Sequence, residues 1–404
     1  MTDNYDVIIV GARCAGSPTA MLLARQGLRV LLLDHASFPS DTVSTHVINV
    51  PGVAALRRWG LLDQVTAVTP PVPFYRFDFG PVVIEGTART ADGAGLAYAP
   101  RRTVLDKILV DAAAAAGAEV RERFSVDEIL ISDGMVTGIR GRDAAGVSTV
   151  EQARVVIGAD GRNSHVARAV GAAAYNEIPA LQVAYYTYWR DLPVVGFETF
   201  IRPERGFAAV PTNDDLTLVV AGWPVAERDA NKSDIEGNYL KTLELAPEFA
   251  DRVHRATRVE RFMGGATPNF FRTPYGPGWV LIGDAGYCKD PITAQGITDA
   301  FRDAEACAAA LGPVLRGEAD FDGVMAEYQR VRDEAALPIY GLTTEFAALQ
   351  PPPAEMQQLF AAMQGNQAAM DGFVGVIAGA VPPGEFFHPD HIGQIFAAAS
   401  AASR

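Results

Sequence analysis

Residues 6–10 form a short uninterrupted apolar run, and residues 11–16 follow it with a turn flanked by glycines. This is the pattern of a strand buried on both faces of a parallel sheet and of the turn that leaves it. Across residues 19–26, Ala20, Leu22, Leu23 and Ala24 recur at helical spacing; Gly27 then closes the helix and residues 29–33 return as a second apolar strand. A βαβ unit is predicted. The middle of the chain has another texture, with β-rich runs at 180–189, 196–202, 206–211 and 216–223 separated by turn clusters such as ERG and PTNDD. These predict an antiparallel sheet inserted into the α/β unit, although without a register the parity that faces inward is open. Beyond Tyr340 the pattern is mostly helical and apolar, broken by PPP at 351–353 and PPG at 382–384. The alanine-rich stretch at 111–116 is explained by helix propensity.

Composition narrows the class. A chain of 404 residues predicts two domains with ample core, and 49% hydrophobic with 20% charged residues is the balance of a packed globule. A formal net charge of -14 argues against a nucleic-acid surface and against docking on anionic lipid by charge. Cys14, Cys288 and Cys307 have neither metal-like spacing nor an even count for bridges, so a reducing cytoplasm is the expected compartment. The opening MTDNYDVIIV lacks the marks of a signal peptide, and no run reaches the ~20 apolar residues of a membrane span. His388 and His391 are separated by a proline and lack a third ligand, so they read as loop residues.

Candidate chemistry lies in three loops. Gly11 permits the sharp turn after the first strand, Gly16 lets the helix pack close, and the free N–H groups of the first helical turn, beginning near Ala15, attract a pyrophosphate. Asp34, at the end of the second strand, is placed for ribose hydroxyls, while Arg13 stands where the second glycine of GxGxxG normally sits. Two further stretches, GADGRNSHVAR from Gly158 and GDAGYCKDPITAQGITDA from Gly283, supply a DG motif and a GD motif. Alone, Asp160-Gly161 is an ordinary turn dipeptide, Asp284 a helix cap and Arg102 a surface charge. Taken together, they point to one large dinucleotide.

In order and placement these motifs resemble the flavoprotein monooxygenases of the para-hydroxybenzoate hydroxylase type. These are the class A single-component aromatic hydroxylases, within a wider group that includes flavin halogenases and geranylgeranyl reductases. The resemblance covers roughly residues 6–310. It implies FAD as cofactor, NAD(P)H as a transient electron donor, and a Rossmann-like FAD-binding domain with an inserted antiparallel β-sheet substrate domain and a helical C-terminal segment. The expected ranges are 1–75, 100–175 and 265–340 for the first, 76–99 and 176–264 for the second, and 341–404 for the third.

By position, the resemblance makes Asp160 a residue that holds loop geometry near the pyrophosphate and Asp284, after Gly283, a partner of the ribityl chain. Pro291 would lie along the flavin ring, with Gly296 and Ile297 at a helix start beneath its pyrimidine end. Arg102 would touch the flavin or its phosphates, and Val126, read as ending the strand after Gly117, would contact adenine. Thr45 and His46 fall where the family passes its chain along the ring. His46 is the single catalytic candidate, with a packing role in that loop preferred, and Cys288 reads as a filler. Tyr186, Phe200 and Phe207 are the substrate candidates, with Tyr185, Tyr188 and Trp189 as further aromatic lining.

The implied reaction inserts one oxygen atom of dioxygen, through a flavin C4a-hydroperoxide, into an aromatic or polyketide-like apolar metabolite. The alternatives are an ene reductase of the geranylgeranyl type, a halogenase, and a flavin-binding regulatory protein. YYTYWRDLP only faintly matches the halogenase WxWxIP signature, and GFAAVP stands where the reductases keep YxWxFP. The C-terminal segment is expected either to lid the substrate cavity or to contact a second copy in a homodimer.

Overall fold

The computed structural model describes residues 5–402, so the first four and last two residues of the expected ranges 1–75 and 341–404 lie outside it. Tyr5–Val10, Val30–Leu33 and Glu119–Arg121 pair in parallel on one side, while Ser148–Gly158 and Trp279–Leu281 extend the same parallel sheet on the other. Val7 stands opposite both Val30 and Val155, and the side chains of Val7, Ile8 and Ile9 are inaccessible to solvent. Burial on both faces has separate causes. The helices Gly16–Ala24, Arg102–Ala115 and Gly296–Leu315 cover one face, and the hairpin Ser125–Ser132 with Met135–Arg142 lies over the other. Val126 therefore opens a strand of this hairpin, because the strand after Gly117 has already ended at Arg121.

The second large sheet is the inserted one. Gln182–Arg190, Leu216–Pro224, Arg205–Pro211 and Phe197–Arg202 run antiparallel in that spatial order, Tyr75–Asp78 and Val83–Gly86 extend it beyond Phe197–Arg202, and Thr257–Arg258 and Met263–Ala266 pair with the free side of Gln182–Arg190. Its two-residue period separates two cores. Trp189, Phe200, Phe207, Val219 and Ala221 pack beneath the helices Ile235–Leu243 and Pro247–Arg255. Tyr186, Tyr188, Phe197, Ala208, Val210 and Leu218 face the opposite way, toward the C-terminal helices.

A small sheet ties the layers together. Ala174–Ile178, Asn269–Arg272 and Tyr287–Cys288 pair antiparallel, and Tyr175, Phe271, Tyr287 and Tyr340 stack on it. Arg332, on the helix Phe321–Ala347, is buried there and donates to the Tyr175 hydroxyl at 2.7 Å and to the Arg272 carbonyl at 3.2 Å. This helix then leads to Ala354–Ala362, Gln367–Ile377, Pro383–Phe386 and Pro389–Ala402. Side-chain oxygens of Asp320 and Asn366 cap two of these helices. Among the described residues no helix is long and apolar enough to cross a membrane.

Candidate functional site

Three turns meet at the edge of the parallel sheet, and glycine is what lets them approach. A Cβ on Gly16 would lie 1.8 Å from the Gly11 carbonyl oxygen, and one on Gly11, whose φ is +104°, would lie 2.4 Å from the Ala159 oxygen. Gly283, at φ +55°, packs on Ala15 so closely that a Cβ would stand 2.9 Å from that methyl group. The first loop thus touches both the DG and the GD motifs.

Asp34 is buried and accepts the Ala12 and Ala36 amides at 2.8 Å each, which shapes the loop around it. Arg13 is held by Asp106 at 2.5 Å and by the Ser40 hydroxyl at 3.0 Å. The same Asp106, fully buried, accepts Nε and Nη2 of Arg102 at 3.0 and 2.8 Å. One carboxylate therefore fixes both arginines. Asp106 escaped the sequence reading, although its i,i+4 spacing from Arg102 was a usable signal.

Asp160 accepts the His165 and Val166 amides through Oδ2 at 2.6 and 3.1 Å, while its Oδ1 is buried without a partner among the described residues. Asp284 is exposed at its surface yet surrounded by protein, whose desolvation raises its carboxyl above the usual range; Lys289, Arg102 and Arg162 oppose that shift. Behind it, Lys289 pairs with Asp299, Arg302 reaches Asp299 at 3.0 Å and Asp303 at 3.4 Å, and Asp303 accepts the Gly283 amide at 3.2 Å. These buried pairs lock the start of the helix Gly296–Leu315 to the GD turn. At that helix start a Cβ on Gly296 would meet nothing within 4 Å.

This donor set fits a dinucleotide: a glycine cradle a Cβ would fill, an unpartnered buried carboxylate oxygen on Asp160, cations near Asp284, and open space over a long helix's N-terminus.

His46 is fully buried at φ +65°, with Nε2 bonded to the Tyr188 hydroxyl and Nδ1 unpartnered among the described residues. Burial, followed by the Arg102 and Arg101 charges, lowers its pKa from 6.5 to about 3, so its ring is neutral near pH 7. Protonation consequently favours the unfolded chain. The stability this residue contributes is complete above pH 6.5 and is lost as pH falls toward 3, at up to about 1.4 kcal/mol per pH unit. Asparagine tolerates the left-handed backbone, so His46→Asn is expected to flatten that acid slope. Urea midpoints of both proteins at pH 7, 5 and 4 measure it.

Beside these loops lies an apolar cavity of about 310 Å³. The sheet face with Ala184, Gly206, Ala208 and Gly222 is its floor, the turn Pro291–Thr293 with Ala294 forms one wall, and Phe346, Leu349, Met356 and Phe373 close it from the C-terminal side. Thr45 reaches it. Two of the substrate candidates lie outside the lining of this cavity. Phe200 points away from the cavity, stacked on Phe207 and packed against Phe249, because odd and even positions of its strand face opposite cores. Tyr186 lies on the correct face but not in the cavity wall; its ring sits 5.9 Å from His46 and its hydroxyl 3.4 Å from the Ser44 amide. Phe207 remains among the lining residues although its ring packs against Phe200. Gln182 and Asp290, which join floor to wall, were missed.

A family model described as FAD binding domain matches residues 4–339. The digeranylgeranylglycerophospholipid reductase of Methanocella arvoryzae is 28% identical over 310 residues, covering 74% of this chain and 75% of that protein. Among solved structures, the flavin-dependent brominase Bmp2 superposes with a TM-score of 0.81 at 21% identity, covering 99% of each chain. The p-nitrophenol 4-monooxygenase PnpA from Pseudomonas putida DLL-E4 does so with 0.75 at 19% identity, over 94% of this chain and 99% of its own. At these identities the structures establish a shared fold.

Proposed function

The chain belongs to the family described as FAD binding domain, and from that premise we propose that it is a monooxygenase. It would draw electrons from NAD(P)H and insert one oxygen atom of dioxygen into an aromatic or polyketide-like apolar metabolite. That it is an FAD-dependent oxidoreductase follows from the family and its neighbours together.

FAD would be held by the converging turns. Ala15 and Gly16 would offer backbone N–H groups to the pyrophosphate, Gly11, whose own amide is bonded to the Leu33 carbonyl, would give the turn its shape, Asp34 would take the ribose and Val126 the adenine edge. Arg13 and Arg102, both braced by Asp106, would stand near the phosphates. Asp160 would keep the second loop in shape, and Gly283 with Asp284 would take the ribityl chain. Thr45, His46 and Pro291 would border the ring, with Gly296 and Ile297 aiming helix N–H groups at its pyrimidine end. When bound, FAD accepts hydride from nicotinamide and passes electrons to dioxygen or to substrate.

The observation carrying this reading is the apolar cavity whose wall is the turn immediately after the GD motif. Its lining gives water few partners, and the C-terminal helices close it, so a reactive species formed there would be shielded. His46, neutral and bonded to Tyr188 behind Thr45, would supply no imidazolium proton. Ala208→Trp, which fills the floor, is expected to leave flavin content unchanged and lower kcat/KM at least about tenfold.

A second reading, alkene reduction, is favoured by the likeness over most of the chain to a protein named as a digeranylgeranylglycerophospholipid reductase. NAD(P)H oxidation by the purified protein, with and without oxygen, against phenols, polycyclic aromatics and prenyl compounds separates the two. Oxygen uptake with a product heavier by one oxygen atom supports the monooxygenase. Anaerobic turnover with a product heavier by two hydrogens replaces it with the reductase.

A further inference from the structure

Gln182 begins a central strand of the inserted sheet and lines the cavity; Asp290 immediately precedes the Pro291–Thr293 turn. The Gln182 amide nitrogen donates to Asp290 Oδ1 at 2.6 Å, in a contact 108 residues apart in sequence. Asp290 is itself immobilised. Its amide donates to Asn269 Oδ1 at 2.7 Å, its Oδ1 also accepts the Ile292 amide at 3.0 Å, and it is 1% exposed. Burial pushes its carboxyl up to about 6, so at neutral pH it is ionised and can only accept.

An acceptor-only partner fixes which way the glutamine amide faces. The NH2 goes to Asp290, which leaves the carbonyl oxygen directed elsewhere. That oxygen lies against Gly222, another cavity residue, where a Cβ would come within 2.5 Å of it. Among the described residues it accepts no hydrogen bond, and the floor beside it is Ala184, Gly222 and Gly206 in one cross-strand row. The oxygen keeps accessible surface beside the cavity, so a ligand can donate to it.

We propose that Gln182 is a specificity-determining residue whose carbonyl, oriented by Asp290 as a positioning residue, selects substrates carrying a hydroxyl or N–H donor beside the Pro291 turn on an otherwise apolar body. The proposal rests on the cavity being the substrate site. Between the strand of Gln182 and that of Thr199 the floor spans three inter-strand spacings, roughly 14 Å across the sheet. That span suits an elongated molecule with its donor at the Pro291 end.

The test is calorimetric titration of the FAD-loaded protein with 4-hexylphenol, its methyl ether 4-hexylanisole and 4-hexylaniline. The phenol and the aniline are expected to bind at least about tenfold tighter than the ether. Gln182→Leu should erase that preference by weakening the two donors and leaving the ether unchanged. Asp290→Asn, whose oxygen the Ile292 amide would hold toward Gln182, should retain the preference, and Asp290→Ala should lose it. Gly222→Ala, which displaces the carbonyl without removing a polar group, should reduce the ratio independently of any folding defect in the other variants. A phenol-to-ether ratio that is the same in wild type, Gln182→Leu and Gly222→Ala overturns the proposal while leaving the cavity as the substrate site. If the compounds do not bind, or bind Ala208→Trp as well as wild type, the cavity reading fails and takes this one with it.

Discussion

Asp284→Ala is expected to give a folded protein that has lost its colour. The side chain is exposed, so its removal leaves no cavity in the core, and the buried pairs behind it, Lys289 with Asp299 and Arg302 with Asp303, are untouched. Lost instead is an acceptor that three cations face. A charged hydrogen-bond partner contributes about 1.5–3 kcal/mol, so flavin affinity should fall on the order of 100-fold. Absorbance near about 450 nm after purification, followed by titration with FAD, measures the effect. Full flavin retention with unchanged affinity would refute the ribityl contact.

Gly16→Ala should do the opposite kind of damage. Its new methyl group would stand 1.8 Å from a backbone oxygen, and neither the first strand's turn nor the helix can yield without disturbing Gly11, itself confined by the Ala159 carbonyl. We expect a loss of about 3 kcal/mol or more in unfolding free energy together with loss of flavin. Gly296→Ala supplies the contrast, since its methyl group meets nothing. It should stabilise the apoprotein slightly, by up to about 1 kcal/mol, through helix propensity, yet weaken flavin binding by occupying the space over the helix start. Urea unfolding with and without added FAD distinguishes these outcomes. An apoprotein of Gly16→Ala as stable as wild type would show that the three turns are not in tight contact.

What could be read from the sequence follows from the range of the physics involved. The three turns were legible because each depends on local backbone geometry, which demands glycine at fixed spacings and leaves a signature in Gly11, Gly16 and Gly283. Asp106, Gln182 and Asp290 were not, because each acts through a partner remote in sequence; Arg13 and Asp106 are 93 residues apart. Phe200 was misplaced for another reason. A strand pattern fixes alternation but not its phase, and the helices Ile235–Leu243 and Pro247–Arg255, overlooked in the sequence, claim the core that includes its ring, while Thr199 and Ile201 of the same strand face the cavity. Which residues after Tyr340 border the cavity was not legible either, because it depends on packing and not on composition.

The cofactor turns all precede residue 300, whereas Phe346, Leu349, Met356 and Phe373 come after it. The floor and the Pro291 wall of the cavity therefore come from the same stretch as the turns, and only its closing side comes from the later helices, tied to the rest through Arg332 and its aromatic stack. Changes confined to the tail would thus redraw one side of the chamber while the glycine contacts beneath it stay as they are.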